Sequence, residues 1–268
     1  MGKFSKGLRA LAKIIRKPSL LNLILDEDEN WRSYVAKKYP NFSGGLRSVD
    51  HGNLFDSFEI SVDPYTFLDG GSMPTDLALL NNFARKIDNC NYFEIGTWRG
   101  ESVANVARFA HECHTLNLSL EEMRSMRLPE KYIELHFSFS KTLENVVQLF
   151  GNSRHFDFES LGKKFDLIFI DGDHHYEMVK NDTEKVFKHL MKEKTIVVWH
   201  DYASNPEKVR YEVLAGILDG LPKHLHNHLY HFSNSLSAFL HPEELDGKFL
   251  EPPVEPENLF RVNIKPLL

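Results

Sequence analysis

Between Pro74 and Trp199, short apolar runs alternate with longer amphipathic stretches, and no other feature constrains the fold of this chain as tightly. Residues 77–87 have helical spacing, 92–95 read as a short buried strand entering a glycine-bearing turn, and 101–110 return to helix. Residues 114–118 and 133–137 read as strands, 143–150 as a helix, and the unbroken apolar run 165–170 as a central strand covered on both faces. Helix 177–191, strand 195–199 and helix 207–218 complete the alternation. Repeated βα units of this kind imply a parallel sheet. After Gly220 the helices stop, and residues 229–232, 236–240 and 259–264 read as strands that close the sheet in antiparallel fashion.

The expected architecture is therefore α/β and Rossmann-like, with seven mostly parallel strands, helices on both faces and antiparallel strands near the C-terminus. Residues 1–73 form a lead-in of a basic helix followed by helical and loop segments, and residues 74–268 form the folded domain. The first 17 residues hold Lys3, Lys6, Arg9, Lys13, Arg16 and Lys17 with no acid, whereas the whole chain carries a formal −6, which leaves −12 on the remainder. That acidic body argues against nucleic acid as a partner. Phe4, Leu8, Leu11 and Ile15 recur at helical spacing between the cations, which describes an amphipathic helix ended by Pro18. Such a helix packs on its own domain or across a homo-oligomer, or makes a weak contact with a membrane or a partner. No run approaches the ~18 apolar residues of a membrane span, and no secretory leader is readable. Two cysteines, Cys90 and Cys113, offer no disulfide framework, so the expected compartment is the cytoplasm.

Two motifs carry chemistry. The first is Glu94-Ile95-Gly96-Thr97-Trp98-Arg99-Gly100 at the tip of the first strand of the alternation, where glycines permit a tight turn and close approach of backbone to a ligand. Its spacing is not the G-x-G-x-x-G of dinucleotide enzymes. The second is the strand 165–170 running into Asp171-Gly172-Asp173-His174-His175, answered by His200-Asp201-Tyr202 after the strand 195–199. Ligands of open α/β sheets sit at the carboxyl ends of strands, and carboxylates delivered there from two strands suit a hard divalent cation. Imidazoles titrate near neutral pH, so His174 and His200 are candidate proton acceptors, with His175 the weaker one.

The glycine turn, with an acid two positions before its first glycine, resembles motif I of class I methyltransferases. The stretch from Phe93 to Tyr202, with Asp171-Gly172-Asp173-His174, Asp182 and Trp199-His200-Asp201-Tyr202, resembles the methyltransferase 24 family. That resemblance implies an enzyme that uses S-adenosylmethionine for O-methylation of a small hydroxylated acceptor such as a sugar, with Mg²⁺ as a candidate second cofactor. It implies cofactor contacts from Glu94, Gly96, Thr97, Trp98, Gly100, Asn117, Ser119, Asn152, Ser153 and Asp171. It also implies metal ligation by Asp171, Asp173 and Asp201, and catalytic roles for Asp171, His174 and His200. Asn117 stands where relatives place a ribose-binding carboxylate, and Tyr202 where they place Asn or Asp. A metal-dependent hydrolase built on the acidic cluster and a non-catalytic cofactor-binding scaffold are the rival readings. The four histidines 224, 226, 228 and 231 read as a surface patch rather than a zinc site.

Overall fold

The computed structural model describes residues 3–17 and 27–267. Helices α1 (Lys3–Arg16) and α2 (Glu27–Lys38) lead to strand β1 (Arg47–Val49), the one-turn α3 (His51–Leu54) and α4 (Pro74–Lys86). The alternation then runs β2 (Asn91–Ile95), α5 (Glu101–Val106), β3 (Glu112–Asn117), α6 (Leu120–Ser125), α7 (Glu130–Glu134), β4 (Val146–Phe150), β5 (Phe165–Ile170), α8 (Tyr176–His189) and β6 (Met191–Trp199). The short strands β7 (Ala203–Asn205) and β8 (Lys208–Val209), helix α9 (Tyr211–Gly220), and strands β9 (Leu229–Phe232) and β10 (Ala238–Leu240) complete it. None of the described helices is long and apolar enough to cross a membrane.

The main sheet has the order β1-β9-β10-β6-β5-β2-β3-β4, in which β10 runs antiparallel to both neighbours and every other pair is parallel. Eight strands replace the expected seven, because β1 from the lead-in adds to the far edge beside β9. Alternate residues of the central strands face two different cores. Phe93, Ile95, Ile168, Ile170, Val197 and Trp199 pack with α2, α8 and α9, while Tyr92, Leu167, Phe169, Ile196 and Val198 pack with α4 and α5. Burial on both faces is why β5 reads as an unbroken apolar run. Helices α8 and α9 approach closely because Gly216 and Gly220 face Val179 and Thr183, where an added Cβ would sit 2.8 and 2.7 Å from those side chains.

Several sequence expectations are corrected here. Residues 133–137 are not a strand: Glu130–Glu134 forms a single helical turn after Pro129, packing Ile133 against Met123 and Phe137. Residues 143–150 are not a helix but end in edge strand β4, paired with β3 from Val146 to Phe150. The helix expected from 207 starts at Tyr211, after the β7–β8 hairpin. Residues 259–264 take no regular structure and lie at the surface. Of the four histidines read as a surface patch, His226 and His231 are buried, and residues 223–228 form a 3-10 helix.

Candidate active site

Strands β2, β5 and β6 are adjacent in the sheet and parallel, so their carboxyl ends open at one edge. Gly96 leaves β2 with a φ of +93°, and a Cβ there would lie 2.0 Å from the carbonyl oxygen of Asp171. The turn after β2 thus rests directly on the backbone at the end of β5, and no larger residue fits. Gly100, also at positive φ, caps α5 against Ser140. Trp98, at φ +44°, stacks on Tyr132 with ring centroids 4.3 Å apart, and its Nε1 is buried without a partner. At the end of β3 the Asn117 Nδ2 is likewise a buried donor with no acceptor.

Glu94 lies one strand position inside the turn and is fully buried. Tyr92 donates its hydroxyl to one carboxylate oxygen at 2.7 Å and Thr115 to the other at 2.9 Å. Burial outweighs these donors and pushes the Glu94 carboxyl up to about 7. Thr97 meets Thr115 hydroxyl to hydroxyl at 2.5 Å, so both residues brace the turn from within.

At the adjoining ends of β5 and β6, Asp171, His200 and Asp201 present ligand atoms within 4.8 Å of one another. His200 Nδ1 lies 3.1 Å from Asp171 Oδ1 and 3.2 Å from Asp201 Oδ2. Its Nε2 lies 3.5 Å from Asp76 Oδ2, an ion-pair distance without hydrogen-bond alignment. Burial opposes charge on this ring, but the surrounding carboxylates, Asp171 foremost, hold His200 well above the usual imidazole range. Burial would raise Asp76, yet His200 and the donors Ser237 and Met73 hold its carboxyl below the usual range. Asp76 occupies the first turn of α4, where Pro74 starts the helix and the carboxylate accepts the Met73 N–H at 2.9 Å. Asp201, in a left-handed backbone conformation at φ +55°, also meets His174 Nδ1 at 2.9 Å and Arg210 at 3.1 Å. These partners overcome its burial and depress Asp201 strongly, while Asp201 in turn raises His174.

Of the residues singled out from sequence, Gly96, Asp171, His174, His200 and Asp201 therefore converge. Asp173 does not join them: it turns outward, half exposed, and binds His175 at 2.6 Å. Ser119 caps α6 and is bonded to Glu122, and Ser153 is bonded to Asp182, so both hydroxyls already have protein partners. Asn152 accepts the Arg154 N–H at 2.9 Å. Tyr202 points into the core and accepts the Leu46 N–H at 2.8 Å, and Trp199 donates to Thr183 at 2.9 Å. His226 and His231 are buried, and burial lowers both. Asp76 and Arg210 escaped sequence reading because each sits at a helix start, and neither position advertises a partner from a distant strand.

Residues 93–202 match the family model described as "Methyltransferase domain". By that match this segment is similar to a methyltransferase domain, over 110 of the chain's 268 residues. No curated protein matches the chain. Among solved structures, the chain is similar to a candidate O-methyltransferase from Klebsiella pneumoniae, at 17% identity and TM-score 0.45 over 65% of this chain and 83% of that one. An S-adenosylhomocysteine-bound methyltransferase from Podospora anserina aligns at 14% identity and TM-score 0.46, over 90% of this chain and 97% of that one. A TDP-rhamnose 3′-O-methyltransferase of calicheamicin biosynthesis aligns at 14% identity and TM-score 0.42, over 62% and 77% respectively.

Proposed function

We propose that this chain binds S-adenosylmethionine over the carboxyl ends of β2 and β3. It then transfers the methyl group to a hydroxyl oxygen of a small acceptor, a sugar or related metabolite, held over β5 and β6 in the cytoplasm. The observation that carries this reading is the contact of Gly96 with Asp171, because it sets the glycine turn and the acidic cluster side by side as the two walls of the candidate site. The cofactor fits the first wall: the unpartnered N–H groups of Asn117 and Trp98 are buried donors that lack an acceptor, as ribose and carboxylate oxygens would supply. The acceptor class is supported by the second wall, where Asp171, His174, Asp201 and Arg210 are polar groups suited to a hydroxyl-rich molecule. Two free, buried cysteines accord with a reducing compartment.

A sulfonium methyl needs little activation, so the protein's task is to align the acceptor oxygen and remove its proton as the C–O bond forms and the C–S bond breaks. In this reading His174 accepts that proton. Its Nδ1 is fixed by Asp201, which leaves Nε2 free on a side chain 43% exposed. Asp201 orients the ring and stabilises the imidazolium that results. His200, wedged between Asp76 and the Asp171–Asp201 pair, holds those carboxylates in place. The donor chemistry also fits a divalent cation, which Asp171, His200 and Asp201 would hold and which would polarise the acceptor hydroxyl. A set of two carboxylates and one imidazole suits Mn²⁺ or Zn²⁺ better than Mg²⁺.

Calorimetric titration with S-adenosylmethionine, followed by transfer of labelled methyl to a panel of sugars and polyols before and after EDTA, tests these statements. Saturable heat and label in an ether-linked product are expected. No heat at millimolar cofactor would sink the proposal, and full transfer after EDTA would remove the metal from it.

A further inference from the structure

Helix α1 differs from the rest of the molecule in both charge and packing. Along its length Lys6, Arg9, Lys13 and Arg16 occur with no acidic residue, so it contains no ion pair of its own. Projected at about 100° per residue, Phe4, Leu8, Leu11 and Ile15 fall within an arc of about 60°, and the cations occupy the opposite side. These four apolar side chains are 83%, 56%, 55% and 71% exposed, so the body of the protein does not cover the stripe. A contiguous apolar row rimmed by charge marks a surface that meets something else.

From this geometry we propose that α1 docks on an anionic lipid bilayer, lying in the plane of the interface. The proposal is independent of the methyl-transfer reading. At 14 residues the helix is about 21 Å long, short of the roughly 30 Å hydrocarbon core, so it lies on a membrane and does not span one. An anionic leaflet meets both halves of the helix at once: headgroups face the cations, and the acyl boundary accepts Phe4, Leu8, Leu11 and Ile15. Nucleic acid would answer the cations and leave the apolar stripe in water. Pairing with a second α1 would bury the stripe but leave every cation without a counter-charge. Because the remainder of the chain carries −12, the attraction is confined to α1, which fixes the end by which the protein approaches the surface. Gly7, mid-helix, weakens α1 in water, so helix content should rise on binding.

The test is flotation of the full chain with vesicles of phosphatidylcholine alone or with about 30 mol% phosphatidylserine. The double variant Leu8→Glu plus Leu11→Glu and the double variant Lys6→Glu plus Arg9→Glu serve as controls, with circular dichroism run in parallel. At least about tenfold more protein should float with the anionic vesicles, with loss of that excess in both variants and in high salt, and a gain of helix on binding. Both substitution pairs lie on exposed positions and should leave the thermal melt unchanged. Equal flotation with the two vesicle types, no flotation, or wild-type behaviour of Leu8→Glu plus Leu11→Glu would overturn the proposal. So would a dimer in sedimentation that this variant dissolves without any vesicle binding, or retention on nucleic acid that exceeds vesicle binding at the same salt.

Discussion

The glycine turn and the acidic cluster, the two walls of the candidate site, each lie beside a fully buried carboxylate, Glu94 and Asp76, and the two are driven in opposite directions. Around Glu94 the donors are neutral hydroxyls, which cannot offset desolvation. Around Asp76 stand an imidazole, a serine hydroxyl and backbone N–H groups, and together they do. Burial alone therefore does not set ionisation in this protein; the charge of the neighbour does. Neutral hydroxyls thus surround the buried carboxyl on the β2 side, whereas the β5–β6 side concentrates charge.

Four substitutions sharpen or break this division. The largest effect is expected on the charged wall. His174→Gln should lower kcat by about 10²–10⁴-fold while leaving cofactor heat intact, and an unchanged rate would assign the proton to another group. On the neutral wall, Gly96→Ala places a methyl against the Asp171 carbonyl in a left-handed conformation, costing about 3 kcal/mol of stability in denaturant titration. Gly162→Ala, at positive φ but facing open space, should cost about 1–2 kcal/mol from the backbone alone. If the two variants melt together, close contact between the walls is not what requires Gly96. The smallest effect is a pH signature. Because folding raises Glu94 from an ordinary 4.5 to about 7, the folded state binds the proton more tightly and loses stability as pH climbs between those values. Glu94→Gln should flatten that decline, gaining on the order of 2 kcal/mol over wild type at pH 8. The depressed carboxyls Asp76 and Asp201 act with the opposite sign, their contribution fading as pH falls below the ordinary 3.8. A decline that survives Glu94→Gln would show that another group controls it.

Much of this was legible in the chain because the central strands announce themselves: a strand covered on both faces must be apolar throughout, and glycine at a strand exit is required by the neighbouring backbone. The edges were not. Val146–Phe150 is an edge strand with half-exposed positions, so its pattern competes with a helical reading, and the one-turn helix at Glu130 presents the alternation of a strand. Strand β1 is three residues long and takes its identity from β9, far away in sequence. The same holds within the candidate site. The acids at the end of β5 were visible as a cluster, but that Asp173 turns away toward His175 while Asp76 arrives from α4 depends on side-chain direction and on a contact between distant segments.

The pairing of Arg47 with Tyr230 has a consequence for how the molecule is made. A ribosome releases Arg47 183 residues before the partner it must lie beside, so that rim of the sheet cannot zip until β9 has followed. A strand made early is thus completed late, and during that interval its backbone edge has no partner.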